Sequence, residues 1–326
     1  MSIDLFKVQI GEESTWGTAV AATALLMGVE EIELEAVNEG EVFKQVDGTL
    51  EPGDNSAILK QGAEGSLSMR ASYEDIGYAL DMFFSEATPT GTDPYTRVYA
   101  PPTTARATPR KATIEYGDAN EAWRGVGMVA NELTISGNSN EVVKVELGLI
   151  GKAVDHNASM TGSLAQRAVT EILGHHITLY MDAFGATVGT TELVNAAFNF
   201  ELALKANREL KYHLGSLSPS DWRAAKYEGE LTVMLELTSA IRTLLEGYLD
   251  APGNDTPLKK QFRIAAASGT KSLDLDFAGA ALEGVKLFDD EEGIEAVEIM
   301  FTAQVDTTGL GSWFAGTLVN GVATYA

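Results

Sequence analysis

Two short segments of nearly the same sequence, EGSLSM at residues 64–69 and EGELTV at residues 228–233, determine the plan of the chain. Both alternate apolar and polar side chains, which is the pattern of a β-strand with one buried face. They lie 164 residues apart in a chain of 326, so each occupies the same place in its half. This spacing predicts an internal duplication, in which the same features recur in the same order.

The repeat extends through the neighbouring segments. Residues 73–84 and 238–249 each follow the repeated strand and carry an apolar stripe with the spacing of one helix face, which predicts one helix per half. A loop rich in Pro and Gly and then further strands come after each helix. Upstream, residues 32–44 align with residues 200–212. The two halves therefore share one order of elements.

Period-two alternation dominates the first half, and helical signals are few. The predicted strands are residues 3–10, 32–37, 66–71, 112–116, 132–136 and 142–150. We predict a mainly β fold with a few helices, built from two tandem copies of a β-sandwich or half-barrel unit with one flanking helix each. The first domain is expected to cover residues 1–160 and the second residues 161–326.

A β-rich unit of this kind has sheet edges that must be paired or protected. Closing several units into a ring pairs these edges around a barrel, because each unit then meets the next one. A chain that holds two units reaches quasi-sixfold symmetry with three copies. The duplication therefore predicts a homotrimeric ring.

The composition excludes several classes of function. The formal net charge is −24, of which residues 1–163 carry −14 and residues 164–326 carry −10. Acidity spread over both halves repels phosphate, so a protein that grips DNA or RNA is not expected. The chain has no cysteine, which removes disulfides, thiolate zinc sites and cysteine nucleophiles. No apolar run is long enough to span a bilayer, and we expect a soluble chain made in a cytoplasm.

Motifs for catalysis or cofactor binding are absent or weak. Gly125, Gly127 and Ala130 fit GxGxxA, but the following residues alternate as a strand where a dinucleotide site needs a helix. His175 and His176, if on a strand, would point to opposite faces and could not chelate one metal together. The acidic residues 289–293 are interpreted as a solvated hairpin turn rather than a calcium loop. We predict no enzyme, no cofactor and no metal site.

Three irregular segments remain. GEESTWGTAVAATALL at residues 11–26 is echoed by GATVGTTE at residues 185–192, which keeps the glycines and threonines but lacks Trp16. Trp16 is therefore expected to anchor the loop on its own domain or on a neighbouring subunit. The other two segments, residues 45–61 and 213–226, are long connections in matching places, and connections of this length are often functional.

The segment at residues 11–26, the alternating strand after it and the acidic β-rich chain resemble the tail tube (major tail) protein of long-tailed, non-contractile bacteriophages. The resemblance implies a structural protein that self-assembles into stacked rings, without catalysis or cofactors, to form a tube for genome passage. It also implies the partners: further copies of itself, the tape measure protein, the tail terminator and distal tail proteins, and phage DNA in transit without specific binding. The implied location is the virion tail, assembled in the bacterial host cytoplasm, with no membrane partner.

In this family a long loop between strands contacts the next ring, and that role falls on the two long connections. The candidates for contacts between rings or subunits are Trp16, Val46, Leu50, Pro52, Ile58, Leu59, Leu217 and Trp222. The acidic candidates for the lining of the tube are Glu33, Glu35, Glu146, Glu201, Glu295 and Glu298. Alternation does not say which strand face is inside, so a solvated outer face stays open.

Two other functions stay open at this point. One is an acidic β-sandwich binding module or surface-layer protein that recognises carbohydrate, which would present aromatic side chains on a concave face and need no ring. The other is a metal-independent hydrolase, because the chain has many acids from which a carboxylate pair could be drawn. Assembly into rings separates both from the tube.

Overall fold

A computed structural model describes residues 6–43, 55–118, 120–243, 257–282, 286–291 and 293–325. The strands are β1 (Lys7–Glu12), β2 (Ala24–Leu25), β3 (Val29–Phe43), β4 (Asn55–Arg70), β5 (Tyr95–Tyr99), β6 (Ala112–Gly117), β7 (Ala122–Asn138), β8 (Lys144–Gly151), β9 (Ala153–Ala158), β10 (Ile177–Ala183), β11 (Ala197–Lys205), β12 (Glu209–Lys211), β13 (Asp221–Arg223), β14 (Glu228–Glu236), β15 (Leu258–Ser268), β16 (Lys271–Ala281), β17 (Lys286–Glu291), β18 (Ile294–Ala303) and β19 (Phe314–Asn320). The helices are α1 (Ile76–Phe83) and α2, described over residues 239–243. A single 3₁₀ turn covers Gly174–His176.

The predicted mainly β fold is confirmed. Several strands are longer than their alternating segments, and the segment with the GxGxxA pattern lies inside β7. The first helix begins at Ile76 rather than residue 73. Asp75 lies at its N-cap, and the Asp75 carboxylate accepts a hydrogen bond from the Met27 N–H at 3.1 Å. Arg167 forms an ion pair with the same carboxylate. All eight residues of α1 are buried, so the helix lies inside the fold.

The central sheet is antiparallel and continuous across both halves of the chain. Its strand order is β3, β4, β8, β7, β11, β14, β18, β17. The first four strands come from the first half and the last four from the second half, in corresponding order. The halves join where β7 pairs with β11, with Ser136 opposite Glu201. The domain boundary at residue 160 stays a prediction.

A second layer packs behind this sheet. In the first half it contains β1, β2, β6, the beginning of β7, and β9; in the second it contains β10, β15, β16 and β19, extended by β5 from the first half. The core between the layers holds buried residues of both halves. Phe84 stacks on Phe314 with ring centroids 4.9 Å apart. Each buried phenylalanine contributes about 1.5–3 kcal/mol, so the halves stabilise each other.

The adjacent histidines and the acidic segment at residues 289–293 adopt different local structures. His175 and His176 do not lie on a strand: they belong to the 3₁₀ turn, and their rings are 4.5 Å apart. Directly before the two histidines, the Gly174 N–H donates a hydrogen bond to the Glu141 carbonyl, and the extended segment ends there. At the acidic segment, β17 and β18 form a hairpin in which Glu291 is opposite Ile294.

Candidate assembly surfaces

One face of the central sheet is acidic. Strand pairing places Glu33 opposite Ser66, Ser66 opposite Gly148, and Gly148 opposite Glu132, so these residues share a face. Extended across the sheet, the same register gives the acids of this face, which include Glu31, Glu33, Glu35, Glu64, Glu132, Glu146, Glu201, Glu228, Glu230, Glu236 and Glu298. The bases of the same face include Arg70, Lys144 and Lys205, and the register also places Lys286 opposite Glu298. We call this surface the acidic face.

The acidic face includes five of the six acids predicted to line a tube. Glu295 is the exception, because it is three positions from Glu298 and therefore lies on the opposite side of β18, where it pairs with Arg242 at 3.7 Å. Glu64 and Glu132 are members that sequence reasoning missed. The alternation of β4 and β7 was the signal that could have found them.

Among the described side chains, few acids of this face form an ion pair. Lys205 approaches Glu132 at 3.6 Å, and both side chains are more than half exposed. A depression of about 480 Å³ between the strands of the first half is lined by Glu33, Glu35, Glu64 and Glu132. The excess of acids over bases leaves a strongly negative surface, which repels other anions over about a Debye length.

The central sheet ends in two open edges. Among the described residues, β3 pairs only with β4, and β17 pairs only with β18. The Tyr116 hydroxyl meets the backbone of Leu34 on β3, and burial raises the pKa of Tyr116 to about 12. By its place in the strand order, β3 corresponds to β11 and β17 corresponds to β7. The open edge strands β3 and β17 thus correspond to β11 and β7, which pair with each other inside the chain.

The β3–β4 hairpin extends beyond the sheet. Pairing of β4 with β8 stops at Ala63, so within the described ranges residues 38–43 and 55–61 pair as strands only with each other. We call these two segments the β3–β4 arm. Its exposed apolar side chains are Val42, Phe43, Ile58 and Leu59.

The predicted contact residues of the first long connection divide between two regions. Ile58 and Leu59 are 47% and 48% exposed on the arm, and they stay candidates for a contact with another molecule. Val46, Leu50 and Pro52 lie outside the described residues.

The second long connection instead folds back on the chain. Trp222, a candidate contact residue, is only 5% exposed, because β12 and β13 form a hairpin that packs it against the first half. Its ring lies 5.5 Å from that of Trp16, and the Arg106 guanidinium lies 4.6 Å from its centroid. Leu217 is 48% exposed, and its carbonyl accepts a hydrogen bond from the Gln61 N–H at the base of the arm.

Trp16 anchors its loop within the chain. Its Nε1–H donates a hydrogen bond to the Gly127 carbonyl at 2.6 Å. Glu13, in the same loop, is buried and accepts hydrogen bonds from the N–H groups of Gly17 and Gly127 and from the Thr113 hydroxyl. A buried carboxylate satisfied by three donors holds a loop in place.

The echo of this loop in the second half is held in a similar way. Asp182 is buried and accepts hydrogen bonds from the N–H groups of Gly189, Thr190 and Thr191. The acid comes from the preceding strand rather than from the loop, so comparison of the loop sequences did not reveal it. Both acids are structural.

The described residues contain no group of three or more His, Cys, Asp or Glu side chains placed to hold a metal ion. Burial lowers the pKa of His176, and the neighbouring His175 lowers it further by a smaller amount. No helix in the described ranges is long and apolar enough to cross a membrane.

The family model described as phage tail tube protein matches residues 7–309, nearly the whole chain, and so confirms the resemblance at residues 11–26. No curated protein matches the chain at a significant level. The family implies a structural protein of the virion tail, which self-assembles into a tube and associates with other tail components. The chain therefore belongs to the phage tail tube protein family.

Proposed function

We propose that three copies of this chain close into a ring through β3 and β17, and that such rings stack into a tail tube lined by the acidic face. The observation that carries the proposal is the pairing of β7 with β11 inside the chain. This pair joins the end of one four-strand unit to the beginning of the next. The same contact between chains joins β17 of one copy to β3 of another, which is a head-to-tail contact that closes into a ring.

The number of strands is consistent with a wide channel. Each chain supplies eight strands, so three chains supply 24. With strands about 4.8 Å apart and tilted by about 40°, such a barrel is roughly 48 Å across between backbones. Barrels of 16–18 strands already leave an aqueous channel. A trimer therefore leaves room for a large molecule to pass.

The acidic face suits the passage of DNA. Duplex DNA carries one negative charge per about 1.7 Å of its axis, so basic walls bind it and acidic walls repel it. Repulsion from all sides keeps the duplex near the centre and away from the walls. The proposed partners are those that the family resemblance implies, namely the tape measure protein, the tail terminator and the distal tail proteins, and the proposed place of assembly is the host cytoplasm.

The assembly itself is the first test. Purified protein viewed by negative-stain electron microscopy is expected to form rings or tubes, and end-on images are expected to show six similar units from three chains. A chain that stays monomeric at every salt concentration contradicts the proposal and favours the acidic binding module. Six chains per ring would contradict the trimer alone.

Charge reversal on the acidic face tests the route of the DNA. We expect phage carrying Glu146→Lys and Glu201→Lys to form intact tubes but to eject DNA at least tenfold more slowly, because two lysines per chain attract phosphate to the wall. The matched control reverses the exposed acids Asp93 and Glu121, which lie outside this face. DNA release from purified virions is the measurement. Equal release rates in the two variants would show that the acidic face does not line the channel.

A further inference from the structure

The open edge of β3 presents backbone groups that could pair with another strand. The Gln61 N–H on β4 donates to the Leu217 carbonyl and not to Asn38, the β3 residue that faces it. Hydrogen-bonded and non-hydrogen-bonded pairs alternate along an antiparallel ladder, so the pair of Leu34 with Gly65 is non-hydrogen-bonded as well. The N–H and C=O of Leu34 therefore point away from β4, toward the open edge.

A side chain of the second layer covers this point of the edge. Tyr116 lies on β6 and is half-buried, and its hydroxyl accepts a hydrogen bond from the Leu34 N–H. The Tyr116 ring packs against that of Trp123, with centroids 5.6 Å apart. Leu34 is 0% exposed, and a buried N–H without a partner costs free energy. The Tyr116 hydroxyl thus satisfies a buried donor of the edge strand.

The junction inside the chain shows the same kind of edge when a strand covers it. Leu202 of β11 is the counterpart of Leu34, because residues 32–44 align with residues 200–212. The Ala206 N–H donates to the Asn131 carbonyl of β7. Counting along the ladder from this bond makes Leu202 and Ile135 a hydrogen-bonded pair. The Tyr116 hydroxyl therefore meets the edge strand where, inside the chain, a carbonyl of the partner strand meets it.

The second half has no hydroxyl at the place that matches Tyr116. Equivalent backbone bonds to the carbonyls of Val126 and Ala278 align the beginning of β7 with β16. Counting from these residues to the neighbouring strands β6 and β15 makes Ile264 the counterpart of Tyr116. Ile264 is buried, and its side chain has no hydrogen-bonding group. Of the two matching positions, the hydroxyl occurs at the edge that the described chain leaves unpaired.

We propose that Tyr116 is a latch, which holds the β3 edge in the free chain and releases it when β17 of a second copy pairs there. The inference rests on the proposed function and adds a control on ring closure. On pairing, a β17 carbonyl replaces the Tyr116 hydroxyl as the acceptor for the Leu34 N–H. Open edges are templates for unwanted pairing, and proteins protect them by covering them. The latch therefore slows ring closure and protects free chains from wrong pairing.

Tyr116→Phe tests the latch in the free chain, because it keeps the ring and removes only the hydroxyl. In dilute, unassembled protein the Leu34 N–H is expected to exchange with deuterium at least tenfold faster in this variant, since its partner is lost. Tyr95→Phe is the matched control: Tyr95 is half-buried on β5, which pairs with β19. The Leu202 N–H is the internal reference. Mass spectrometry that resolves single residues measures the exchange, and an unchanged rate at Leu34 would overturn the proposal.

The rate of ring closure is the second measurement. At one protein concentration, rings are expected to form at least threefold faster from Tyr116→Phe than from the unmodified chain or Tyr95→Phe. Size-exclusion chromatography and electron microscopy follow the rings, and an equal or lower rate would also overturn the latch. In finished rings the Leu34 N–H is expected to exchange slowly in every variant, because β17 then supplies the acceptor. Fast exchange in rings of Tyr116→Phe would instead contradict the β3–β17 contact of the proposed function, and the release of the latch with it.

Discussion

Oxidation of a Glu35→Cys, Lys286→Cys variant is expected to convert the assembled protein into a covalent trimer that is resolved on a non-reducing gel. The chain has no native cysteine, so the introduced pair supplies all the thiols. Facing residues in antiparallel strands have Cα atoms about 4.5–5.5 Å apart, which lies within the range of a disulfide. Cross-linking therefore occurs only where β3 of one chain pairs with β17 of another.

The choice of positions comes from the register of the sheet. The Ala71 N–H donates to the Val143 carbonyl at the end of β4, and the Leu237 N–H donates to the Glu295 carbonyl at the end of β14. These equivalent bonds align the two halves strand by strand.

Counting along the ladder from these bonds makes Lys286 the counterpart of Thr134 and Glu35 the counterpart of Ala203. Thr134 and Ala203 face each other inside the chain. If the chains repeat this contact, Lys286 faces Glu35 of the next copy.

The controls for this experiment are available in the same chain. Thr134→Cys with Ala203→Cys is expected to oxidise within one chain and to leave its mass unchanged. Each single variant is expected to stay uncross-linked, whereas a dimer from Glu35→Cys alone would indicate that two β3 edges meet symmetrically. A ladder reaching six chains would contradict the trimer, and no cross-linking in assembled rings would contradict the β3–β17 contact.

Arg110→Ala is expected to lower the free energy of unfolding by about 3–5 kcal/mol, the usual cost of removing one partner from a buried ion pair. The Arg110 side chain is 2% exposed and lies 3.3 Å from the Asp81 carboxylate, which is 1% exposed. It also contacts Glu86 at 2.7 Å and Glu12 at 2.5 Å. Without Arg110, the Asp81 charge stays buried without its cation. Urea unfolding of dilute, unassembled protein measures the difference.

The loss should depend on pH in a defined direction. Burial raises the pKa of Asp81 above its usual value even with Arg110 present, and removal of the cation raises it further. A carboxyl whose folded-state pKa is raised stabilises the fold when protonated, and that stability is lost as pH rises above the unfolded pKa of about 4. The difference between Arg110→Ala and the unmodified chain is therefore expected to be smaller at pH 5 than at pH 7.

Arg223→Ala is the matched control for this measurement. Arg223 and Glu209 form an ion pair in which the side chains are 72% and 62% exposed. Exposed pairs of this kind contribute about 0–1 kcal/mol, because water solvates both charges. Equal destabilisation by Arg110→Ala and Arg223→Ala would contradict the role of burial at Arg110.

Much of the fold could be read from local patterns. Alternation identified β-structure around residues 66–71 and 112–116, because a strand at a sheet surface exposes every second side chain whatever its partners are. The same rule placed Glu33 and Glu35 on one face. Helix limits were less accurate: α1 begins at Ile76, directly after Asp75, whose carboxylate pairs with Arg167, a residue distant in sequence.

The candidate contact residues show where local patterns fail. Trp222 and Leu59 both occur in long polar connections, yet Trp222 is buried against Trp16 and Leu59 is exposed on the arm. The difference depends on Arg106, which bonds Asp221 and covers the Trp222 ring. Nothing near Trp222 in the sequence indicates that contact.

The sequence by itself determined the β class of this protein and the family to which it belongs, and it predicts the duplication and several acids of the acidic face, because alternation, repeats and motifs are properties of neighbouring residues. Only the tertiary structure decided that β7 pairs with β11, that β3 and β17 are open edges, and that one long connection projects while the other folds back. These features depend on contacts between residues far apart in the chain. Each feature is stable only when two particular surfaces pack together, and the sequence of one surface does not show which other surface it contacts.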